Sequence, residues 1–341
     1  MGGHLTARAW LRERRRLITL MNGDAAGGEA PRRPGQPEGR EPDSPWRPRL
    51  GRATSAPPRP RKVRRLMRRP RLTVLALNRR DGEARPPWAV DPEITHTAIW
   101  LHRLPAAFDG LRIVHLTDIH HSLFTPLEEV ERAVYLANRL DPDLVALTGD
   151  YVTLSDAYIR PVARALGKLR ARRGVFAVLG NHDFQVDASA VTAALRAHHI
   201  RVLRNTRRPV RSGGETLWLL GVDDLWWNSD DLPAALKRVP ARDAKILLCH
   251  NPLGIWQASD RGIDLVLSGH THGGQVRLPG FSKLYRSKLG ERFVEGWNVL
   301  KSTQIYVSRG IGKVVLPIRV ACPPEIACLQ LRRARPGLRH A

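Results

Sequence analysis

The chain has 341 residues, 42% of them apolar, which is enough for a sizeable core and for one large or two ordinary domains. Its three cysteines, Cys249, Cys322 and Cys328, are too few and too irregular for a disulfide framework or a structural zinc site; a Cys322–Cys328 pair stays open, but the expectation is that all three are reduced or buried. A net charge of +24 favours anionic surroundings, whether nucleic acid, a membrane face or a phosphorylated substrate, without choosing among them.

Residues 1–85 hold 22 Lys+Arg against 8 Asp+Glu and so carry +14 of that charge. From Gly23 to Pro60 the sequence is dense in Pro, Gly and Arg without apolar periodicity, which predicts a disordered basic tail. The arginines at 14–16 precede LITL, but Asn22, Gly23 and Asp24 end that apolar run at once, and LTVLAL at 72–77 is far short of the roughly 20 apolar residues that span a bilayer. Neither a cleavable signal nor a transmembrane helix is therefore expected. The reading is a cytoplasmic protein whose basic cluster at 61–80 is either a solvated tail or a peripheral attachment to anionic lipid at the inner face of the cell membrane.

A compact domain is expected over 86–335. It opens with ITHTAIWLHRLP as an edge strand, followed by apolar strands LRIVHLT at 111–117, DLVALTG at 143–149 and GVFAVLG at 174–180. Between them, 127–140 and 155–170 space their apolar residues as helices do, with Val130, Val134 and Ala137 on one face. Asp187 reads as the N-cap of a helix running to His198. Strands RVL at 201–203, TLWLLG at 216–221, KILLC at 245–249, DLVLSG at 264–269, QIYVS at 304–308 and EIACLQL at 325–331 complete a layered α/β domain.

Five of these strands end in polar residues of metal-ligating type: Asp118-Ile119-His120, Gly149-Asp150, Gly180-Asn181-His182-Asp183, Cys249-His250 and Gly269-His270-Thr271-His272. Ligands gather beyond the carboxyl ends of strands in α/β sheets, so residues from separate strands can meet there. In an extended segment alternate side chains point the same way, which would let Asp118 and His120 share one cation, and His270 and His272 likewise. Oxygen and nitrogen donors without thiolate suit Mn, Fe, Zn or Mg, and the interleaved glycines permit close backbone approach.

In this order the motifs DIH, GD, GNHD, CH and GHTHGG resemble those of the calcineurin-like metallophosphoesterase superfamily over about 225 residues. That resemblance implies a two-sheet β-sandwich flanked by helices and two divalent metal ions, manganese foremost. It implies that Asp118, His120, Asp150 and His272 hold one metal, with Asp150 bridging to a second held by Asn181, His250 and His270. His182 matches the catalytic histidine, with Asp183 expected to orient it. Purple acid phosphatases carry a tyrosine three residues after the bridging aspartate, where this chain has Thr153, so that branch is disfavoured.

The run GHTHGGQVRLPG, SRGIG at 308–312 and the PPE before the last strand resemble a small bacterial branch that contains membrane-associated phosphodiesterases and UDP-diacylglucosamine hydrolases. The expected activity is hydrolysis of a phosphodiester or diphosphate in a lipid- or nucleotide-linked substrate. A metal-dependent nuclease and a membrane- or nucleic-acid-tethered binding protein are the alternatives. Arg277 and Arg309, with Lys313 and Arg319, are expected to meet substrate phosphate. Residues 281–297, including Phe281, Leu284, Tyr285, Leu289, Phe293 and Trp297, would form either an amphipathic lip or a loop packed on the core.

Overall fold

The computed structural model describes residues 91–277 and 293–334. Contacts divide the chain into Met1–Arg69 and Pro70–Ala341, and all described residues lie in the second unit. The tail expected over 1–85 lies outside them, as do Phe281, Leu284, Tyr285 and Leu289 of the expected lip.

Two six-stranded sheets make up the described domain. The first contains β1 (Glu93–Leu101), β2 (Arg112–Leu116), β3 (Leu144–Leu147), β4 (Val175–Ala177), β5 (Arg201–Val202) and β12 (Glu325–Arg333), in the order β1-β12-β2-β3-β4-β5. The second contains β6 (Thr206–Ser212), β7 (Glu215–Gly221), β8 (Lys245–Leu248), β9 (Leu265–Ser268), β10 (Gly296–Leu300) and β11 (Thr303–Val307), in the order β10-β11-β9-β8-β7-β6. Strands β2 to β5 run parallel to one another, as do β7, β8, β9 and β11. Their carboxyl ends, and the loops that follow, therefore bring the polar motifs together. β1 is the edge strand the sequence predicts, paired in parallel with β12 from Glu93↔Glu325 to Leu101↔Arg333.

The alternation of strand side chains builds three apolar layers. Ile113, Leu144, Ala146 and Phe176 face Leu219, Ile246, Leu248, Leu265 and Leu267 in the space between the sheets. Their odd-even neighbours Val114, Leu116, Val145, Leu147 and Val175 pack outward against helices α1 (Leu127–Arg139), α2 (Ile159–Leu166) and α4 (Ala188–Ala197). On the far side Leu220, Leu247, Val266, Ile305 and Val307 pack under α5 (Leu232–Leu236) and α6 (Ile255–Ser259). The result is a two-sheet sandwich with helices on both outer faces, as expected. Each fully buried Leu, Ile or Val contributes about 1.5–3 kcal/mol.

Local signals account for the helix ends. In α1, Val130, Ala133, Val134 and Ala137 form one buried stripe, and Glu128 and Glu129 favour the positive end of its dipole. Asp187 caps α4 as predicted, its carboxylate accepting from the amides of Ser189 and Ala190, both at 2.9 Å. The pattern over 155–170 resolves into a short 3₁₀ turn at Asp156–Tyr158 followed by α2. All three cysteines are buried and unpaired, as expected. No helix among the described residues is long and apolar enough to cross a membrane.

Candidate active site

At the carboxyl ends of the strands the motifs converge into three groups of mutually close donor atoms: Asp118, His120 and His272; His120, Asp150 and His182; and Asp150, His250 and His270. Within the first, His272 Nε2 lies 3.3 Å from Asp118 Oδ1 and 3.0 Å from His120 Nε2. Asp150 Oδ2 stands 3.5 Å from His120 Nε2 and 3.1 Å from His250 Nε2, so this one carboxylate touches both ends of the cluster. His270 Nδ1 is 2.9 Å from Asn181 Oδ1 and 3.3 Å from His250 Nε2. All seven residues expected as ligands thus stand together, and only His270 among them falls outside the fully buried class.

The route to this convergence is not the expected one. Asp118 and His120 do not lie in extended backbone; their φ angles are 49° and 47°, and Asp150, His270 and His272 have 57°, 72° and 51°. A non-glycine residue in this left-handed region carries a conformational cost, and five such residues at one site mark a functional constraint. Because each chain reverses locally, residues two apart diverge or converge by loop geometry, not strand pleat. Hence Asp118 and His120 do meet, whereas His270 and His272 fall into different groups, one beside Asp150 and His250, the other beside Asp118 and His120. The glycines permit this crowding: a Cβ at Gly269 would overlap the Asp118 carboxylate, and one at Gly180 the Asp150 carboxylate.

Supporting contacts fix the ring orientations. Thr153 Oγ1 lies 2.6 Å from His120 Nδ1. The carbonyl of Thr148 lies 2.7 Å from His250 Nδ1. A carbonyl only accepts, so His250 Nδ1 carries a proton, and in the neutral ring its Nε2 would aim a lone pair at the Asp150 carboxylate 3.1 Å away. Two acceptors at that distance need a cation between them, either a second imidazole proton or a metal ion. The demand shows in the proton affinity of the ring: burial pulls His250 down, but Asp150 overrides it and pushes the imidazole up to about 10. Burial holds His120 and His270 down at about 3 and His272 well below its usual range, so these rings are neutral and present lone pairs. Burial raises Asp150 too, yet His250 and His182 outweigh it and keep that carboxyl well below the usual range. Neutral imidazoles and carboxylates facing one another in a buried cluster are a donor set for divalent cations.

His182 sits on the first turn of α3 (Asn181–Val186), edge-on to His120 with ring centroids 4.9 Å apart, and its amide donates to Asp150 Oδ1 at 2.9 Å. Its Nδ1 is buried with no hydrogen-bond partner among the described residues. Asp183 does not reach that ring. Its Oδ2 accepts from the amides of Asp150 and Gly180 at 2.8 and 2.9 Å, and its Oδ1 from the amide of Tyr151 at 2.8 Å. In place of the expected orientation of His182, the carboxylate clamps the two loops that carry Asp150 and Asn181, since all three of its hydrogen bonds go to backbone amides there.

The arginines also have other work. Arg277 bonds Glu295 and the Gly273 carbonyl, and Arg309 bonds Glu93 at 2.8 Å and Glu325 at 3.3 Å. Lys313 Nζ pairs with Glu129 at 2.6 Å. Arg319 is turned inward, donating to the Gly312 and Arg309 carbonyls and approaching His272 Nδ1 at 3.4 Å. His121 bonds the Thr125 carbonyl at 3.0 Å and packs edge-on against Tyr158, a structural role.

Residues after β7 join the site, among them Trp226 and Trp227, which the sequence leaves between an amphipathic lip and a loop packed on the core. Trp226 packs edge-on to His270 with centroids 4.5 Å apart, and Trp227 Nε1 donates to the Asn181 carbonyl at 3.1 Å. Asp224, which burial pushes up to about 6, accepts from the amides of both tryptophans and holds this turn. The polar Asp223-Asp224 pair ending the β7 strand was the available signal, since it follows the same strand-end rule as the other motifs.

Residues 111–274 match the family model for calcineurin-like phosphoesterases. The uncharacterized metallophosphoesterase YkuE of Bacillus subtilis (strain 168) is 34% identical over 244 residues, covering 70% of this chain and 85% of YkuE. Phosphodiesterase YaeI of Escherichia coli (strain K12) is 32% identical over 237 residues, covering 67% of this chain and 86% of YaeI. A transmembrane protein with metallophosphoesterase domain from Danio rerio is 33% identical over 276 residues, which is 76% of this chain but 61% of that relative. With the fold, the clustered donors and these relatives in agreement, the chain belongs to the calcineurin-like metallophosphoesterase family of metal-dependent phosphoester hydrolases.

Proposed function

We propose that this chain hydrolyses a phosphodiester or diphosphate bond in a lipid- or nucleotide-linked substrate, UDP-diacylglucosamine being one such compound. The observation that carries the reading is Asp150, whose carboxylate faces His120 on one side and His250 on the other while accepting the His182 amide. The name of the E. coli relative, a phosphodiesterase, supports the diester choice.

Asp118, His120, His272 and Asp150 would hold one cation, and Asp150, Asn181, His250 and His270 the other; manganese is the first choice for this mixed oxygen and nitrogen set, with iron, zinc or magnesium as alternatives. When bound, such a pair supplies positive charge to the phosphoryl oxygens and acidifies the attacking water. The chain's own contribution is preorganisation. Thr153 and the Thr148 carbonyl fix the imidazoles of His120 and His250, and Asp183 fixes the loops bearing Asp150 and Asn181. His182 stabilises the leaving oxygen or gives it a proton.

Purified protein with Mn²⁺ should hydrolyse bis-p-nitrophenyl phosphate and lose that activity in His182→Ala and in Asp150→Ala; unchanged turnover in both variants refutes the assignment. The charge of +24 favours a second reading, a nuclease of the same chemistry. That reading requires cutting of DNA or RNA that falls steeply with salt, and no cutting at low salt removes it.

A further inference from the structure

Six exposed apolar side chains occupy the three loops that leave β2, β3 and β11: Leu123, Phe124, Leu154, Val315, Leu316 and Ile318. Leu123, Leu154 and Val315 are 88%, 78% and 78% exposed. The loops are tied into one surface, because Lys313 donates its amide to Thr125 Oγ1 at 3.1 Å and its Nζ to the Phe124 carbonyl at 3.0 Å, while His121 bridges Val152. Each loop also reaches the cluster of donor side chains. Leu123 lies three residues beyond His120, Leu154 follows the threonine that bonds His120, and Ile318 precedes the arginine that approaches His272.

Exposed hydrocarbon on three joined loops beside the donor cluster needs a partner, since exposed apolar surface of this kind marks interaction sites. Two of these residues are also strained: Leu154 and Val315 have φ of 67° and 63°, a region costly for a β-branched valine, although neither side chain is buried. The cations of the same loops point inward. Lys313 is spent on Glu129, Arg309 on Glu93 and Glu325, and Arg319 on backbone carbonyls, so the outward chemistry here is apolar and ill suited to a nucleic-acid backbone.

We propose that this apolar rim seats the enzyme on an anionic phospholipid bilayer, so that the phosphoester it cleaves is the headgroup linkage of a membrane-resident lipid. The substrate claim rests on the phosphoester-hydrolase reading above. Charge and rim act in sequence, since a chain of net charge +24 is drawn to an anionic surface and the rim then inserts shallowly among headgroups. Either signal alone gives marginal binding, and the two together give stable attachment.

The test is co-sedimentation of the full chain with vesicles of phosphatidylcholine alone and of phosphatidylcholine with phosphatidylglycerol. Binding should be strong only to the anionic vesicles and should fall about tenfold or more in Leu123→Ser/Leu154→Ser/Val315→Ser, with an unchanged melting temperature showing that this variant is folded. Equal binding by wild type and triple variant overturns the proposal by assigning attachment to charge alone. So does absence of vesicle binding in a protein that binds DNA. Hydrolysis of bis-p-nitrophenyl phosphate by the wild type is measured in parallel: vesicle binding with no hydrolysis refutes the catalytic reading and its substrate claim while leaving the docking surface standing.

Discussion

Replacing Asp183 by asparagine separates a loop clamp from a residue that acts on His182. The carboxylate accepts three buried amides, those of Asp150, Tyr151 and Gly180, at 2.8–2.9 Å. Alanine would leave all three without an acceptor, and at about 1–3 kcal/mol for each buried orphan the loss rivals the roughly 5–15 kcal/mol that holds a typical domain folded. Asparagine is gentler. Its oxygen, placed where Oδ2 was, keeps the Asp150 and Gly180 amides, and its NH₂ group opposes the Tyr151 amide, so that amide and the NH₂ group itself are left without acceptors. The expected cost is about 1–3 kcal/mol for each of these two groups, read as a lower urea midpoint without a change of slope. Because the clamp sets the position of Asp150, metal content should fall together with turnover. If instead Asp183→Asn matched wild-type stability and metal content yet lost as much turnover as His182→Ala, the clamp argument would fail and a direct action on His182 would replace it.

Other outcomes follow from the same contacts. Thr153→Val removes the hydroxyl 2.6 Å from His120 Nδ1 and should weaken metal binding by about 10–100-fold in a chelator competition, with little effect on folding. His182→Ala should lower kcat by about 10²–10⁴ while metal content by elemental analysis stays at the wild-type level, whereas Asp150→Ala should lose metal as well. Removing metal with EDTA should lower the melting temperature, since metal present at 100 times its Kd contributes about 2.7 kcal/mol of folding free energy.

The acid limb of stability tests His115, which lies between the sheets with Nε2 2.7 Å from Thr148 Oγ1 and is held down to about 4 by burial. Its folded value lies below its unfolded one, so the unfolded chain takes up the proton first. The contribution is fully present above about pH 6.5 and is lost as pH falls towards 4, to a total of about 3 kcal/mol. Urea midpoints at pH 7.5 and 4.5 should therefore differ less in His115→Gln than in wild type; an equal drop in both removes His115 from the account.

Strand positions and the polar residues that end them are legible in the sequence, because the two-residue alternation of a strand and the turn chemistry of Gly-Asp or Gly-Asn-His are local properties. That is why all seven expected donors fall in one cluster, and why Asp187 caps its helix as read. Local pattern does not reach further. Whether His270 joins His272 or His250 depends on left-handed backbone at Asp118, His120, Asp150, His270 and His272, which neighbouring loops impose and no propensity encodes. Of the arginines read as phosphate contacts, Arg309 turns to Glu93 and Glu325, which stand side by side once β1 lies beside β12, and Arg277 turns to Glu295. Asp183, an orienting residue by resemblance, becomes a clamp because two loops meet at its carboxylate. The sequence by itself determined which side chains stand at the strand ends; only tertiary structure decided which atoms they face, because a hydrogen bond or an ion pair depends on distances set by the packing of two sheets.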